Sequence, residues 1–344
     1  MVANPILAKN FRKSWVENIH RGAFCLIESN GKVIFSAGDI KTPIFPHSAI
    51  KAMQALAMFK SGAVEKFSLT DKEIALACAS HNGEQVHVDG VRLFLEKIDC
   101  SVNDLECGCH APIGRQARKD FFTSKDLLSP IYNACSGKHA GMLAVSRALG
   151  EPIAGYSEPN HKVQKMVRFC IEQVIDQGLF EDKCATDGCS IPTFAAPLSA
   201  FAFGFARMSS GFGLSDETAN ASERVFEAAI GNPKLIRGEK TLDSDLMAAF
   251  NRRLMIKNGA EAVYCGALRF SNPEKNIGFA LKIDDGNLAV SEVVIANILM
   301  ALGNPNEKEK KTLEQYISKD IYNWRKILVG FIKASDIKKL TGAV

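Results

Sequence analysis

A serine hydroxyl is a poor nucleophile until a neighbouring base takes its proton, and two residues three apart on a helix share one face. The pattern S-x-x-K supplies both parts. It occurs three times, at Ser29 and Lys32, Ser48 and Lys51, and Ser335 and Lys338, so context must choose. The first straddles an Asn30-Gly31 turn and the third lies in a charged tail. Ser48 follows Pro46 and opens a run in which Ala49, Ile50, Met53, Leu56, Ala57 and Phe59 recur at helical spacing until Gly62. A lysine in such an apolar setting near a helix start has its ammonium form disfavoured and can act as a neutral base, while the helix dipole stabilises an oxyanion. The plainer alternative is that Ser48 caps the helix and Lys51 snorkels to water.

Two further triplets follow in chain order. Ser80-His81-Asn82 reads S-x-N after an apolar run, and Lys257-Asn258-Gly259 reads K-x-G before a strand. The order S-x-x-K, S-x-N, K-x-G is similar to that of the serine penicillin-binding and β-lactamase group, which attacks amides through an acyl-enzyme. Ser101-Val102-Asn103 and Lys60-Ser61-Gly62 match the same loose strings. The ten cysteines include no paired C-x-x-C set, which argues against a zinc ribbon or finger. Cys25, Cys78, Cys100, Cys170 and Cys265 sit in apolar surroundings, whereas Cys107, Cys109, Cys135, Cys184 and Cys189 lie among Gly and polar residues. On residue chemistry alone Cys135 and Cys189 are either buried free thiols or metal ligands, with His139 the natural nitrogen donor.

Longer strings are more specific. Ala79-Ser80-His81-Asn82-Gly83-Glu84, the block from Cys135 to Met142, the block from Asp187 to Phe194, and Lys257-Asn258-Gly259-Ala260-Glu261 together resemble the thermolabile asparaginase II family, whose best-known members are the rhizobial-type class 3 L-asparaginases. The resemblance runs over roughly residues 5–305 and leaves the tail uncovered. It implies a serine β-lactamase-like fold and two serine-lysine pairs, falling on Ser48 with Lys51 and on Ser80 with Lys257. It also implies a zinc ion held by Cys135, Lys138 and Cys189, with Asp187 close by through water, and a homodimer. Lys138 is assigned by the resemblance; His139 stays beside it as a candidate on the substrate side, together with His47, Asn82 and Asp187. One departure concerns position 262, where the family usually has glycine and this chain has Ala262. Alanine tolerates most conformations except those with positive φ.

The expected activity is hydrolysis of L-asparagine to L-aspartate and ammonia. Ser48 attacks the side-chain amide, Lys51 accepts its proton, Ser80 and Lys257 relay a proton to the leaving ammonia, and zinc fixes the amino-acid end of the substrate. Within the same class the alternatives are a glutaminase or a broader amidase. From a different class the alternative is a zinc or redox module built on Cys135, Cys184 and Cys189.

The elements that must position these residues read as an α/β chain of the α+β kind. Apolar runs 23–29 and 32–36 joined by Asn30-Gly31 predict a hairpin. Helical signals follow over 84–98, 136–149, 163–175, 216–230 and 243–256, and strands return at 263–270 and 277–283 before an apolar helix ending near Gly303. An antiparallel sheet assembled from both ends of the chain, with a mostly helical lobe inserted, accommodates this order. The expected division is 1–60 with 255–344 for the sheet lobe and 61–254 for the helical lobe, with the active-site cleft between them.

Composition narrows the partners. At 344 residues, with 47% hydrophobic and 23% charged residues, the chain is an ordinary globular protein of about two domains. The net charge of +4 is confined to the tail, because residues 1–306 carry 33 basic and 33 acidic residues. A neutral body with 8% aromatics gives no footprint for nucleic acid, and the tail's KEKK run reads as a solvated helix face. No apolar stretch fits an export signal or a membrane span, so a cytoplasmic protein with reduced thiols is expected.

Overall fold

In the computed structural model, which describes residues 3–124 and 126–340, the Asn30-Gly31 signal marks a hairpin. Trp15–Glu28 pairs antiparallel with Val33–Ala37, and Gly31 takes φ 88°, a left-handed value that glycine adopts without strain. The first strand is longer than its apolar run, because its polar half up to Arg21 pairs with Ile6–Arg12. Its buried half pairs with Ile277–Ile283. The sheet has eight strands in the order Ser318–Tyr322, Leu328–Ala334, Ile6–Arg12, Trp15–Glu28, Ile277–Ile283, Val263–Leu268 and Leu254–Asn258, with Val33–Ala37 paired to Trp15–Glu28 off this path. Every pairing is antiparallel. The architecture is therefore mixed α/β with an antiparallel sheet drawn from both ends of the chain.

One reading of the sequence needs correction. The segment 243–256 is not one helix: Leu242–Ala249 is helical, Asn251 and Arg252 turn the chain at φ 43° and 69°, and Leu254–Asn258 is a strand. A short apolar run has no periodicity of its own to tell the two apart. The KEKK run of the tail is helical, within Glu307–Leu313; beyond it Leu328–Ala334 pairs with Ile6–Arg12 and extends the sheet, and Ile337–Leu340 is a short helix. Ser318–Tyr322 is mostly exposed and Leu328–Ala334 buries only Gly330 and Ile332, so alternation of apolar and polar residues is too weak to announce them.

Contacts divide the chain into two compact units: 1–49 with 196–210 and 245–344, and 50–195 with 211–244. In the first, the helix Leu198–Ser210 packs on Ile277–Ile283, Val263–Leu268 and Trp15–Glu28. In the second, the helix Lys51–Lys60 is the centre, packed by Ser136–Leu149, Lys162–Ile175 and Asp216–Gly231. Lys51 through Met58 are all buried, so this helix is enclosed on every side rather than amphipathic. Among the described residues no helix is long and apolar enough to cross a membrane.

A close approach inside the helical unit sets the site. A Cβ on Gly137 would lie 2.3 Å from the Leu76 carbonyl oxygen, so only glycine lets the start of Ser136–Leu149 reach the end of Asp71–Ala77. Gly137→Ala is expected to lower stability by about 1–3 kcal/mol through overpacking against backbone. The check is a lower urea midpoint at unchanged m.

Candidate active site

Within the helical unit the chemistry gathers around Lys51. Its side chain is wholly buried, and its Nζ donates to the Ala79 carbonyl, to Ser80 Oγ at 3.0 Å and to Cys135 Sγ at 3.2 Å. The segment after the helix Asp71–Ala77 is stitched in place by backbone bonds from Ser80 to Ile236 and from Asn82 to Arg237, both 2.8 Å, and from His81 to Ala134 at 3.1 Å. That helix itself starts at a capping box in which Thr70 and Glu73 satisfy each other's ends. The half-buried Ser80 hydroxyl is thus held on a fixed backbone beside an amine from a different element.

A second cluster adjoins it. Cys135 precedes the helix Ser136–Leu149, and its backbone N–H donates to Asn133 Oδ1 at 2.8 Å. Lys138 Nζ donates to Cys189 Sγ at 2.7 Å, and Asp187 Oδ2 lies 3.5 Å from the same sulfur. The hydrogen bond from Cys189 holds Cys135 well below the usual thiol range against the opposing effect of burial, helped by the charges of Lys51 and Lys138. Cys189, the donor of that pair, is pushed up. Burial opposes the Lys138 ammonium, yet Cys189, Cys135 and Asp187 together raise it. The cluster is therefore a buried thiolate-ammonium arrangement. Among the described residues no group of three or more His, Cys, Asp or Glu side chains makes a metal cluster.

Three further candidates, His47, Ser48 and Lys257, lie in the sheet unit. Ser48 is half-buried in the short 3-10 turn His47–Ile50, which His47 enters at φ 48°. Lys257 is buried near the end of Leu254–Asn258, and its Nζ donates to the carbonyl and Oδ1 of Asn258 at 2.7 and 2.9 Å. A Cβ on Gly259 would lie 2.7 Å from the Pro46 carbonyl, so the strand end carrying Lys257 rests against the turn carrying Ser48. Ala262 departs from the expected glycine at φ 57°, in the region where an L-residue pays about 1–2 kcal/mol.

Asn82 lines a cavity of about 950 Å³ together with Glu84, Arg115, Tyr132, Glu239 and Lys240. His139 is fully buried, and its Nδ1 is 2.6 Å from the hydroxyl of Tyr156. Burial, with the Lys138 charge, pushes its imidazole down to about 3, so it is neutral. Three supporting residues escape sequence reasoning. His81, the middle of S-x-N, accepts from Gly83 N–H at Nδ1 and donates from Nε2 to Ser136 Oγ at 2.8 Å, tying the Ser80 segment to the helix start. Asn133 orients Cys135, and Tyr156 holds His139. Their partners are 2 to 55 residues away, and no local pattern marks them. The Cys184 thiol is pushed up by burial, the opposite of a reactive thiol.

The model of one protein family, described as L-asparaginase II, matches residues 8–334. The chain belongs to the L-asparaginase II family. It is an amidohydrolase, and the L-asparaginase II match extends into the tail that the sequence resemblance left uncovered. No curated protein matches the chain. Among solved structures, a probable glutaminase from Bacillus subtilis complexed with 6-diazo-5-oxo-L-norleucine is 11% identical, with 82% of this chain and 84% of that one covered at a TM-score of 0.41. A β-lactamase from Burkholderia ambifaria is 16% identical, with 83% and 94% covered at 0.39.

Proposed function

We propose that the protein hydrolyses L-asparagine to L-aspartate and ammonia through a serine acyl-enzyme, on a serine β-lactamase-like fold. The observation that carries this reading is the buried Lys51 amine 3.0 Å from the Ser80 hydroxyl in a chain of the L-asparaginase II family. Ser48 attacks the side-chain amide carbon, and Lys51, three residues on, takes its proton. Backbone N–H groups at the helix start receive the oxyanion. Ser80 and Lys257 pass a proton to the departing ammonia and then activate water against the acyl-enzyme. On the substrate side His47, Asn82, His139 and Asp187 are the assigned residues, Asn82 supported by the cavity it lines. With asparagine and glutamine compared by ammonia release, kcat/KM is expected to favour asparagine by at least about tenfold, the worth of one methylene. Parity or reversal makes the enzyme a glutaminase.

A zinc ion belongs to this reading, held by Cys135, Lys138 and Cys189 with Asp187 nearby. Two sulfurs, an amine and a carboxylate oxygen within hydrogen-bonding reach of one another are a donor set that suits zinc, provided Lys138 gives up its proton. When bound, zinc supplies positive charge that fixes the amino-acid end of the substrate. Metal analysis is expected to find about one zinc per chain and none in Cys189→Ala, and chelation is expected to raise KM more than it lowers kcat. A fully active, zinc-free protein removes the metal from the scheme. The protein is further assigned to the cytoplasm, where its ten cysteines stay reduced, and to a homodimer.

A further inference from the structure

The chain has only two tryptophans, Trp15 and Trp324, and both stand in solvent, the first 79% exposed and the second fully. They are 309 positions apart in sequence, yet the sheet brings them to one end. Ile6–Arg12 and Leu328–Ala334 pair antiparallel with Phe11 opposite Phe331, and those two rings stack at 5.0 Å. The turn after Arg12 and the turn before Leu328 therefore project from the same end of the sheet. Residues 12–19 and 322–328 are exposed without interruption, so both ribbons stand clear of the body on both faces. A strand of a folded sheet ordinarily buries one face.

We propose that these two ribbons are the surface on which a second copy of the chain docks. Trp15, Val16 and Ile19 on one ribbon and Tyr322, Trp324 and Leu328 on the other are exposed together. They present on the order of 800 Å² of mostly apolar surface, about what one partner contributes to a standard interface. The apolar residues run from the turns several positions down the strands, which suits a protein surface covering a ribbon better than a bilayer receiving a tip. Lys13, Arg325 and Lys326 crown the tips, while further down the strands Glu17 is already paired with Arg12 at 2.9 Å and Asp320 accepts from the Tyr322 hydroxyl. Tip against tip sets like charges together, so the contact is offset, with the apolar flanks of the two ribbons against each other. This deepens the homodimer assignment and rests on it.

Because both fluorophores sit on the surface in question, tryptophan emission of the full-length protein reads this interface directly. Sedimentation equilibrium and emission are measured over the same dilution series, with iodide as quencher. The expected result is blue-shifted, iodide-protected emission wherever the dimer is present, and a red shift with quenching on dilution to monomer. Trp15→Ser with Trp324→Ser is expected to weaken dimerisation at least 100-fold while circular dichroism and asparagine hydrolysis per chain remain those of the parent. A dimer whose tryptophans stay fully quenchable, or which survives the double substitution, overturns this surface and leaves the homodimer standing. A monomer at every concentration overturns both. A blue shift produced only by vesicles of anionic lipid overturns the second copy as occupant and makes the tips a membrane-contact site.

Discussion

Ser48→Ala releases ammonia from asparagine at least about 10³-fold more slowly than the parent, with KM little changed and the urea midpoint held. The hydroxyl forms the bond that the reaction passes through, so its loss removes the covalent route while substrate still binds. Ser48 sits half-buried in a turn whose geometry is set by the backbone, His47 at φ 48° and the Ala49 N–H on the Pro46 carbonyl at 3.1 Å, so the turn does not depend on the side chain. A comparable rate in the variant moves the nucleophile to Ser80, the serine that Lys51 touches. Burst kinetics separate the two roles: if Ser80 serves the second half of the reaction, Ser80→Ala accumulates acyl-enzyme, whereas a nucleophile cannot.

Lys51→Met has the second large effect, a loss of about 10²–10⁴ in kcat, the worth of one positioned base. Methionine approximates the reach of lysine and stays apolar in a helix buried all round, but it takes this donor from the Ala79 carbonyl and the Ser80 hydroxyl and leaves Cys135 with the bond from Cys189 alone of the two. Each buried group stripped of its partner costs about 1–3 kcal/mol, so this variant loses stability as well, unlike Ser48→Ala. Paired measurement of ammonia release and urea unfolding distinguishes them. If Lys51→Met keeps the parent rate, the lysine is a structural bridge between three elements and the base lies elsewhere.

Much of this was legible in the chain. The choice of Ser48 and Lys51 over the other S-x-x-K matches rested on apolar spacing after Pro46, and that spacing belongs to a helix buried from Lys51 to Met58. The hairpin at Asn30-Gly31 and the strand at 277–283 carried local signals strong enough to read directly. The partnership of Lys51 with Ser80 and Cys135 carried none. Those partners lie 29 and 84 residues away, and nothing in the spacing of either says which hydroxyl or thiol an amine will meet. The tail strands were hidden for a related reason, since Ser318–Tyr322 is mostly exposed and Leu328–Ala334 buries only Gly330 and Ile332, which leaves little alternation to detect.

By itself, the sequence determined the residue types that can do the chemistry, the mixed α/β class and the family, because motifs and periodicity are properties of neighbours along the chain. Only the tertiary structure decided that the Lys51 amine bridges Ser80 and Cys135, that Lys138 and Asp187 both approach Cys189, and that two distant tryptophans share one sheet end. Such contacts arise from helix packing and strand register, which depend on the whole chain closing at once.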